Sequence, residues 1–311
     1  MPDLSVYIGK LKLKNPVMVC SGTFGYASEF EDLMDLKVLG AIVTKTITLN
    51  PRQGNPSPRT CETPSGMLNS IGLENPGFGA FVSEKLPYLK KTGIPVIVSI
   101  ASEKDPREFV TLARALDKVE LAAAIELNIS CPNIRHKGAP EAAGKLISQD
   151  PKATFEVVKA VRKATGKMII TKLSPNVTDI AQIGIAAQKA GSDAVSLINT
   201  LGGMSIDIRT SRPKIAMVSG GLSGPAIRPV AVKMTWDAYQ KLKIPIIGMG
   251  GITDTASALE FIMAGAKAVA VGTQNFVDPK TCQEIISGIK GHMIANNIKN
   301  MNKLTGSVKI G

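Results

Sequence analysis

Eight short apolar runs punctuate the chain, and nothing else in the sequence narrows the choice of fold as far. They are Val17–Val19, Ala41–Thr44, Val96–Ile100, Ala124–Asn128, Met168–Lys172, Ala194–Ile198, Ile246–Met249 and Ala268–Val271. Runs this short suit strands, and their nearly unbroken apolar character suits strands buried on both faces. Between them lie amphipathic stretches of helical period at Pro106–Leu116, Asp150–Thr165, Val177–Ala190 and Thr253–Ala264. Several open on a capping signal: Asp105 before Pro106, Thr178-Asp179, and Thr253-Asp254. Strand–helix alternation requires a parallel sheet, and eight such units close on themselves as a (β/α)8 TIM barrel of the α/β class. The preceding segment "LSVYIGKLKLKNP" (4–16) alternates apolar and polar residues about Gly9-Lys10, which predicts a β-hairpin closing the bottom of the barrel. No composition shift or linker divides residues 1–311, so one barrel domain is expected.

Two connections are long. Residues 46–76 contain prolines 51, 56, 58, 64 and 76, and residues 199–224 are rich in Gly and Ser. Both are expected as structureless loops over the C-terminal face, where segments of that length serve as lids or binding loops.

Several function classes drop out on residue counts. The cysteines, at 20, 61, 131 and 282, form no CxxC pair and no metal-ligand spacing. They read as a reduced set, neither a disulfide framework nor a metal or iron–sulfur site. With only His136 and His292, a histidine metal centre or a Ser-His-Asp triad is excluded. The formal charge of +12 raises nucleic acid as a partner, but the lysines are scattered apart from Lys10–Lys14 and Lys90-Lys91, and aromatic residues are only 4%. A basic surface around a site for small anions fits better. No apolar run approaches the roughly 20 residues that span a bilayer, and "MPDLSVYIGK" lacks a signal-peptide core. A soluble, cytoplasmic chain is expected.

Chemistry in such barrels sits at the C-terminal ends of the strands. In order, those ends read Ser21-Gly22, Lys45-Thr46, Ser99, Asn128, Lys172, Asn199-Thr200, Gly250-Gly251 and Gly272-Thr273. The last two pairs place glycine N–H groups where phosphate binds in these folds, and Gly224 in "SGGLSGPAI" adds a third loop. Lys45 and Lys172 beside Asn69, Asn128, Asn133 and Asn199 point to an anionic, amide-rich ligand, because a carboxamide offers a donor and an acceptor in one plane. Cys131 is then the group in the mouth suited to accept a proton near neutral pH. Taken alone, a cysteine there also fits a small buried hydrophobe.

"GMLNSIGLENPG" (66–77), "NISCPN" (128–133), "TKLSPNVTDI" (171–180), "INTLGGMSID" (198–207), "GMGGI" (248–252) and "AVGT" (270–273) together resemble the dihydroorotate dehydrogenases, specifically class 1 type B catalytic subunits. The resemblance runs from about residue 4 to residue 290. It implies an FMN-binding barrel that oxidises (S)-dihydroorotate to orotate in pyrimidine biosynthesis. Carried over by position, Ser21, Lys45, Thr46, Ser99, Asn128, Lys172, Ile198, Gly224, Gly250, Gly251, Gly272 and Thr273 would hold FMN. Ser99 stands where the family often has Asn. Lys45, Asn69, Ser70, Ile71, Gly72, Leu73, Asn128, Asn133, Asn199 and Thr200 would surround dihydroorotate, and Cys131 matches the general base.

The same resemblance implies a homodimer flanked by two partner subunits carrying FAD and a [2Fe–2S] cluster, with NAD as the final electron acceptor. It implies no metal site in this chain. The segment "IRHKGAPEAAGKL" (134–146) departs from the family's glycine-rich pattern at the lid. Three other readings stay open at this point. A flavin barrel acting on uracil or thymine would share the Cys and Asn set, a non-redox phosphate-binding barrel would share the glycine loops, and a nucleic-acid module is the weakest.

Overall fold

A computed structural model describes residues 1–130 and 147–311. The chain opens with β1 (Val6–Ile8) and β2 (Leu11–Leu13), an antiparallel hairpin turning at Gly9, whose φ is +56°. A Cβ at Gly9 would touch Met168 and Asp193, which lie just before or at the start of barrel strands. The hairpin therefore closes the N-terminal end, as its alternation predicts.

The barrel strands begin with β3 (Val17–Val19) and β4 (Ala41–Val43), followed after an excursion, β5 (Thr60–Thr63) and β6 (Gly66–Asn69), by β7 (Val96–Ile100) and β8 (Ala122–Leu127). Then come β9 (Met168–Lys172) and β10 (Ala194–Leu197), a second excursion, β11 (Leu201–Gly203), β12 (Ile206–Asp207), β13 (Arg212–Pro213) and β14 (Gly220–Ser223), and finally β15 (Ile246–Gly248) and β16 (Ala268–Val271). Strands β3, β4, β7, β8, β9, β10, β15 and β16 close into a parallel barrel in that ring order. All eight apolar runs thus become barrel strands, four with the same bounds and four with an end shifted by one or two residues. The largest shift is at β8, which starts at Ala122 and is offset against β7 between Val96 and Ile97.

Helices pack outside the ring. Two of the three expected caps hold: Asp179 accepts from the Ala181 and Gln182 N–H groups, and Asp254 forms a capping box with Ser257. Asp150, not singled out in the sequence, caps a further helix by accepting from the Lys152 and Ala153 N–H groups. Ahead of Arg107–Asp117 the N-cap is Pro106, but the Asp105 carboxylate still accepts from the Arg107 N–H at 2.8 Å. The core is the sleeve of Val, Ile, Leu and Ala between the strands and these helices, and it is almost wholly buried.

The two long connections are not structureless. They meet in a four-stranded antiparallel sheet of order β11-β14-β6-β5, with Gly221 opposite Asn69 and Leu222 opposite both Leu68 and Leu201. Its strands are three or four residues long, β6, β11 and β14 contain glycine, and β6 pairs with β14 across some 150 residues of sequence. Such short segments lack a readable hydrophobic period, and their partners are set by the barrel bringing the loops together.

Candidate functional site

Most side chains expected at the strand ends converge on the C-terminal mouth. Lys172, the last residue of β9, is buried and its ammonium donates to the Ser21 hydroxyl at 3.0 Å. Asn128, one residue past β8, donates from Nδ2 to the Thr46 hydroxyl at 3.0 Å. Its Oδ1 accepts from the Ser130 hydroxyl at 3.3 Å and from Asn199 Nδ2 at 3.4 Å. Asn199 Nδ2 also donates to Ser130 Oγ at 2.9 Å, and its Oδ1 accepts from the Thr200 N–H at 2.7 Å. Two carboxamides, one after β8 and one after β10 with β9 between them, thus share one hydrogen-bond network.

The overlying sheet supplies the roof. Asn69 Nδ2 donates to the Gly221 carbonyl at 3.3 Å, and a Cβ at Gly221 would fall 2.0 Å from the Thr200 hydroxyl, so only glycine lets these loops approach. Segment 70–73 is pinned from below. Arg52 Nε donates to the Gly72 carbonyl at 2.6 Å, and Asn55 binds the Ile71 carbonyl through its N–H and the Ser70 carbonyl through its amide. Gly72 and Leu73 both have positive φ, at +75° and +57°. Ser70 is fully buried, and its hydroxyl has no partner among the described residues.

Lys45 lies two residues beyond β4, its N–H held by the Gly25 carbonyl at 2.8 Å. Burial pushes its ammonium below the ordinary lysine range; Glu74 and Glu29 oppose that shift and Arg59 adds to it. Among the described residues, neither Lys45 nor Lys172 has a carboxylate at ion-pair distance. Glu74 instead pairs with Arg59 at 2.6 Å. Two unpaired, largely buried cations in one mouth are suited to an anion supplied from outside.

On the far side the three glycine loops come together. A Cβ at Gly251 would sit 2.8 Å from the Gly224 carbonyl, and Thr273 Oγ1 donates to Ser223 Oγ at 2.8 Å. Gly224, Gly250 and Gly251 have φ of +95°, +124° and +82°. Among the described residues, the N–H groups of Gly224, Gly251 and Thr273 donate to no other group, which leaves them free for a phosphate. Ile198 packs against this cradle, with its Cγ1 3.1 Å from where a Gly250 Cβ would be, and Gly272 backs onto Cys20.

Ser99 is wholly buried, its hydroxyl engaged by Thr46 and Glu126. Cys131 and Asn133, the expected base and one expected substrate contact, lie outside the described residues, as does segment 134–146. Cys20, partly buried just past β3, has its thiol pushed up to about 12 by desolvation, with Lys172 opposing and Glu126 adding to the shift. Among the described residues no cluster of three His, Cys, Asp or Glu could hold a metal ion, and no helix is long and apolar enough to cross a membrane.

Sequence reasoning passed over several residues that organise the mouth. Asn75 braces the 70–77 turn and Asn176 bridges Ser174, Thr200 and Gly202. Glu126 was the legible one: a carboxylate inside "AAAIEL", an otherwise apolar barrel strand.

A closed parallel barrel ringed by helices, whose C-terminal mouth gathers three glycine loops, two cations and converging carboxamides, is a (β/α)8 barrel of the class that carries its chemistry at that face. The family model described as dihydroorotate dehydrogenase matches residues 3–293. A relative from Geotalea daltonii, called dihydroorotate dehydrogenase B (NAD(+)), catalytic subunit, is 50% identical over 309 residues, 99% of either chain. Relatives of the same description from Thermoanaerobacter pseudethanolicus and Geobacter sulfurreducens are 50% and 48% identical, again over 99% of both chains. The chain belongs to the dihydroorotate dehydrogenase family of oxidoreductases.

Proposed function

We propose that this chain oxidises (S)-dihydroorotate to orotate with FMN in its mouth, as the catalytic subunit of an NAD-linked enzyme of pyrimidine biosynthesis. The observation that carries the reading is the pair Lys45 and Lys172, without a carboxylate at ion-pair distance among the described residues, in the mouth that also holds the linked carboxamides of Asn128 and Asn199. A dihydropyrimidine carboxylate needs one cation for its carboxylate and in-plane donors and acceptors for its ring. Uracil or thymine has no carboxylate to set against Lys45.

The residues present fit FMN. Gly224, Gly251 and Thr273 offer N–H groups to its phosphate, with Gly250 and Gly272 leaving room for close approach. Ser21, Thr46, Asn128, Lys172 and Ile198 would line its ring, with Ser99 beneath Thr46. When bound, FMN supplies the hydride acceptor for the substrate's C6 hydrogen. Lys172 offsets negative charge beside the ring. Lys45 binds the substrate carboxylate, while Asn69, Asn128, Asn133 and Asn199 hold the ring plane and segment 70–73 with Thr200 closes around it. The Ser70 hydroxyl, buried and without a partner among the described residues, is available to that ligand. Cys131 takes the C5 proton as thiolate.

The chain is read as a single domain over residues 1–311, working in the cytoplasm. The words "catalytic subunit" in the relatives' names support a partner. The assembly we infer is a homodimer with two further subunits that carry FAD and [2Fe–2S] and reduce NAD. The test is the visible spectrum of the purified chain. A flavin spectrum bleached anaerobically by dihydroorotate, and not by dihydrouracil, is expected. A colourless protein, or bleaching by both compounds alike, would overturn the reading.

A further inference from the structure

Glu126 is buried inside the barrel, and among the described residues no cation lies at ion-pair distance from it. Its neighbours on β8, Ala124, Ile125 and Leu127, are wholly buried and apolar. A carboxylate in such a place costs several kcal/mol unless its oxygens are hydrogen-bonded. Two hydroxyls meet that need: Ser99 on the adjacent β7 donates to Oε1 at 3.0 Å, and Ser196 on β10 donates to Oε2 at 2.9 Å. An Ala or Leu at position 126 would continue the strand and spare the cost, so the retained carboxylate has work elsewhere.

One of the two bonds leads out of the core. Ser99 Oγ lies 2.9 Å from Thr46 Oγ1, which in turn accepts from Asn128 Nδ2 at 3.0 Å. Both carboxylate oxygens accept, from Ser99 and from Ser196. Ser99 must therefore spend its single hydrogen on Glu126 and accept from Thr46, and Thr46 must spend its own on Ser99 and accept from Asn128. Every hydrogen in the row points inward, and the only group of Asn128 that can end it is its NH2. The Ser196 bond has no such continuation among the described residues.

We propose that Glu126 is a positioning residue that, through Ser99 and Thr46, fixes the Asn128 carboxamide with its NH2 toward Thr46 and its oxygen toward Ser130 and Asn199. Without that accepting terminus, each hydroxyl could turn and the carboxamide could flip, exchanging donor for acceptor at the ligand face. This rests on the reading of Asn128 as a ligand contact.

The test uses the full chain labelled with 15N-asparagine, in which the Asn128 side-chain amide pair is identified by its loss in Asn128→Asp. Ser99→Ala should displace that pair and raise the dissociation constant for orotate, followed by the flavin absorbance shift, about tenfold. Ser196→Ala removes an equivalent hydroxyl from the same carboxylate and should leave the pair in place, with affinity within about twofold. Glu126→Gln should match Ser99→Ala, and the double variant should be no worse than either. If Ser99→Ala and Ser196→Ala move the amide pair alike, or neither moves it, the carboxylate is structural only and the proposal fails. Should Glu126→Gln not fold, the contrast between the two alanine variants still decides. A wild-type chain that dihydroorotate does not bleach would defeat the functional reading alone, since the amide resonance reports without substrate.

Discussion

Lys172 reaches across the barrel to Ser21: its ammonium donates to the serine hydroxyl at 3.0 Å, from β9 to the loop after β3, which stand opposite one another in the ring. A single side chain therefore spans the floor of the mouth and holds a buried positive charge near its centre. That charge is unpaired by any carboxylate among the described residues, so its electrostatic effect falls on whatever occupies the mouth. Lys172→Met should slow anaerobic flavin reduction by dihydroorotate about 100-fold, the size of effect seen when a preorganised electrostatic group is lost. The flavin midpoint potential should fall in parallel. Ser21→Ala keeps the charge and should cost less than tenfold. A Lys172→Met enzyme whose flavin is reduced at the wild-type rate would remove Lys172 from the reaction.

Lys45 gives a pH dependence whose sign follows from burial. Its folded pKa lies below the ordinary 10.5, mainly through desolvation. Below the lowered value the ammonium is charged in both folded and unfolded chains, and the fold bears the desolvation cost. Above 10.5 it is neutral in both, and that cost is gone. The ligand-free chain thus gains stability from this group as pH rises between the two values, while affinity for a carboxylate ligand falls over the same window. Lys45→Met should raise the melting temperature of the ligand-free protein by roughly 1–3 °C and weaken orotate binding at least about tenfold at neutral pH. Calorimetry and a spectral titration measure the two quantities; a variant that loses both together would contradict this account.

Cys131, the proposed general base, predicts the opposite pH signature. An ordinary thiol ionises near about 8.5 and is mostly protonated at neutral pH. Flavin reduction should therefore accelerate as pH rises through the thiol's ionisation, and Cys131→Ala should abolish that dependence along with most of the rate. Stopped-flow reduction from pH 6 to 9 reads this directly, and a flat wild-type profile would sink the assignment.

Gly251 is positioned for a test of the phosphate cradle. Its φ is +82°, and a Cβ would lie 2.8 Å from both the Gly224 carbonyl and the Arg228 Cβ. Gly251→Ala must shift two of the three loops, at a backbone cost of about 1–2 kcal/mol before any clash. FMN affinity, followed by quenching of its fluorescence, should drop at least about tenfold while the barrel core, on the other side of β15, keeps its far-ultraviolet circular dichroism. Unchanged FMN retention would place the phosphate elsewhere.

The sequence made the barrel legible because its strands are local: each run such as Ala268–Val271 is apolar enough to be recognised without its neighbours. Lys172 and Asn128 stood out for the same reason, as polar residues ending apolar strands. The roof was not legible. Gly221 is an ordinary loop residue until Asn69, some 150 positions earlier, is paired with it. Glu126 was visible as an anomaly, but its role depends on the Ser99 and Thr46 hydroxyls, and their orientation follows only from the assembled chain of bonds.

Asn75 shows how much the substrate loop depends on one such residue. Its Oδ1 accepts from the N–H groups of Thr48 and Gly77 at 3.1 and 2.8 Å, and its Nδ2 donates to the Thr48 hydroxyl and the Leu73 carbonyl at 2.8 and 2.7 Å. Four bonds from one buried carboxamide tie the end of the 70–73 segment to the loop after β4, and they help hold Leu73 in its left-handed backbone conformation. Asn75→Ala would strand two buried N–H groups at a cost of about 1–3 kcal/mol each. The barrel is not built on these bonds, so the loss should fall on the loop: faster amide exchange at 70–77 and a KM for dihydroorotate raised about tenfold or more, with FMN retention unchanged. Asn75→Asp keeps the acceptor for both N–H groups but cannot donate to Leu73, and should fall between wild type and alanine. Equal loss of FMN and substrate affinity in Asn75→Ala would instead show that the loop and the barrel mouth fold as one unit.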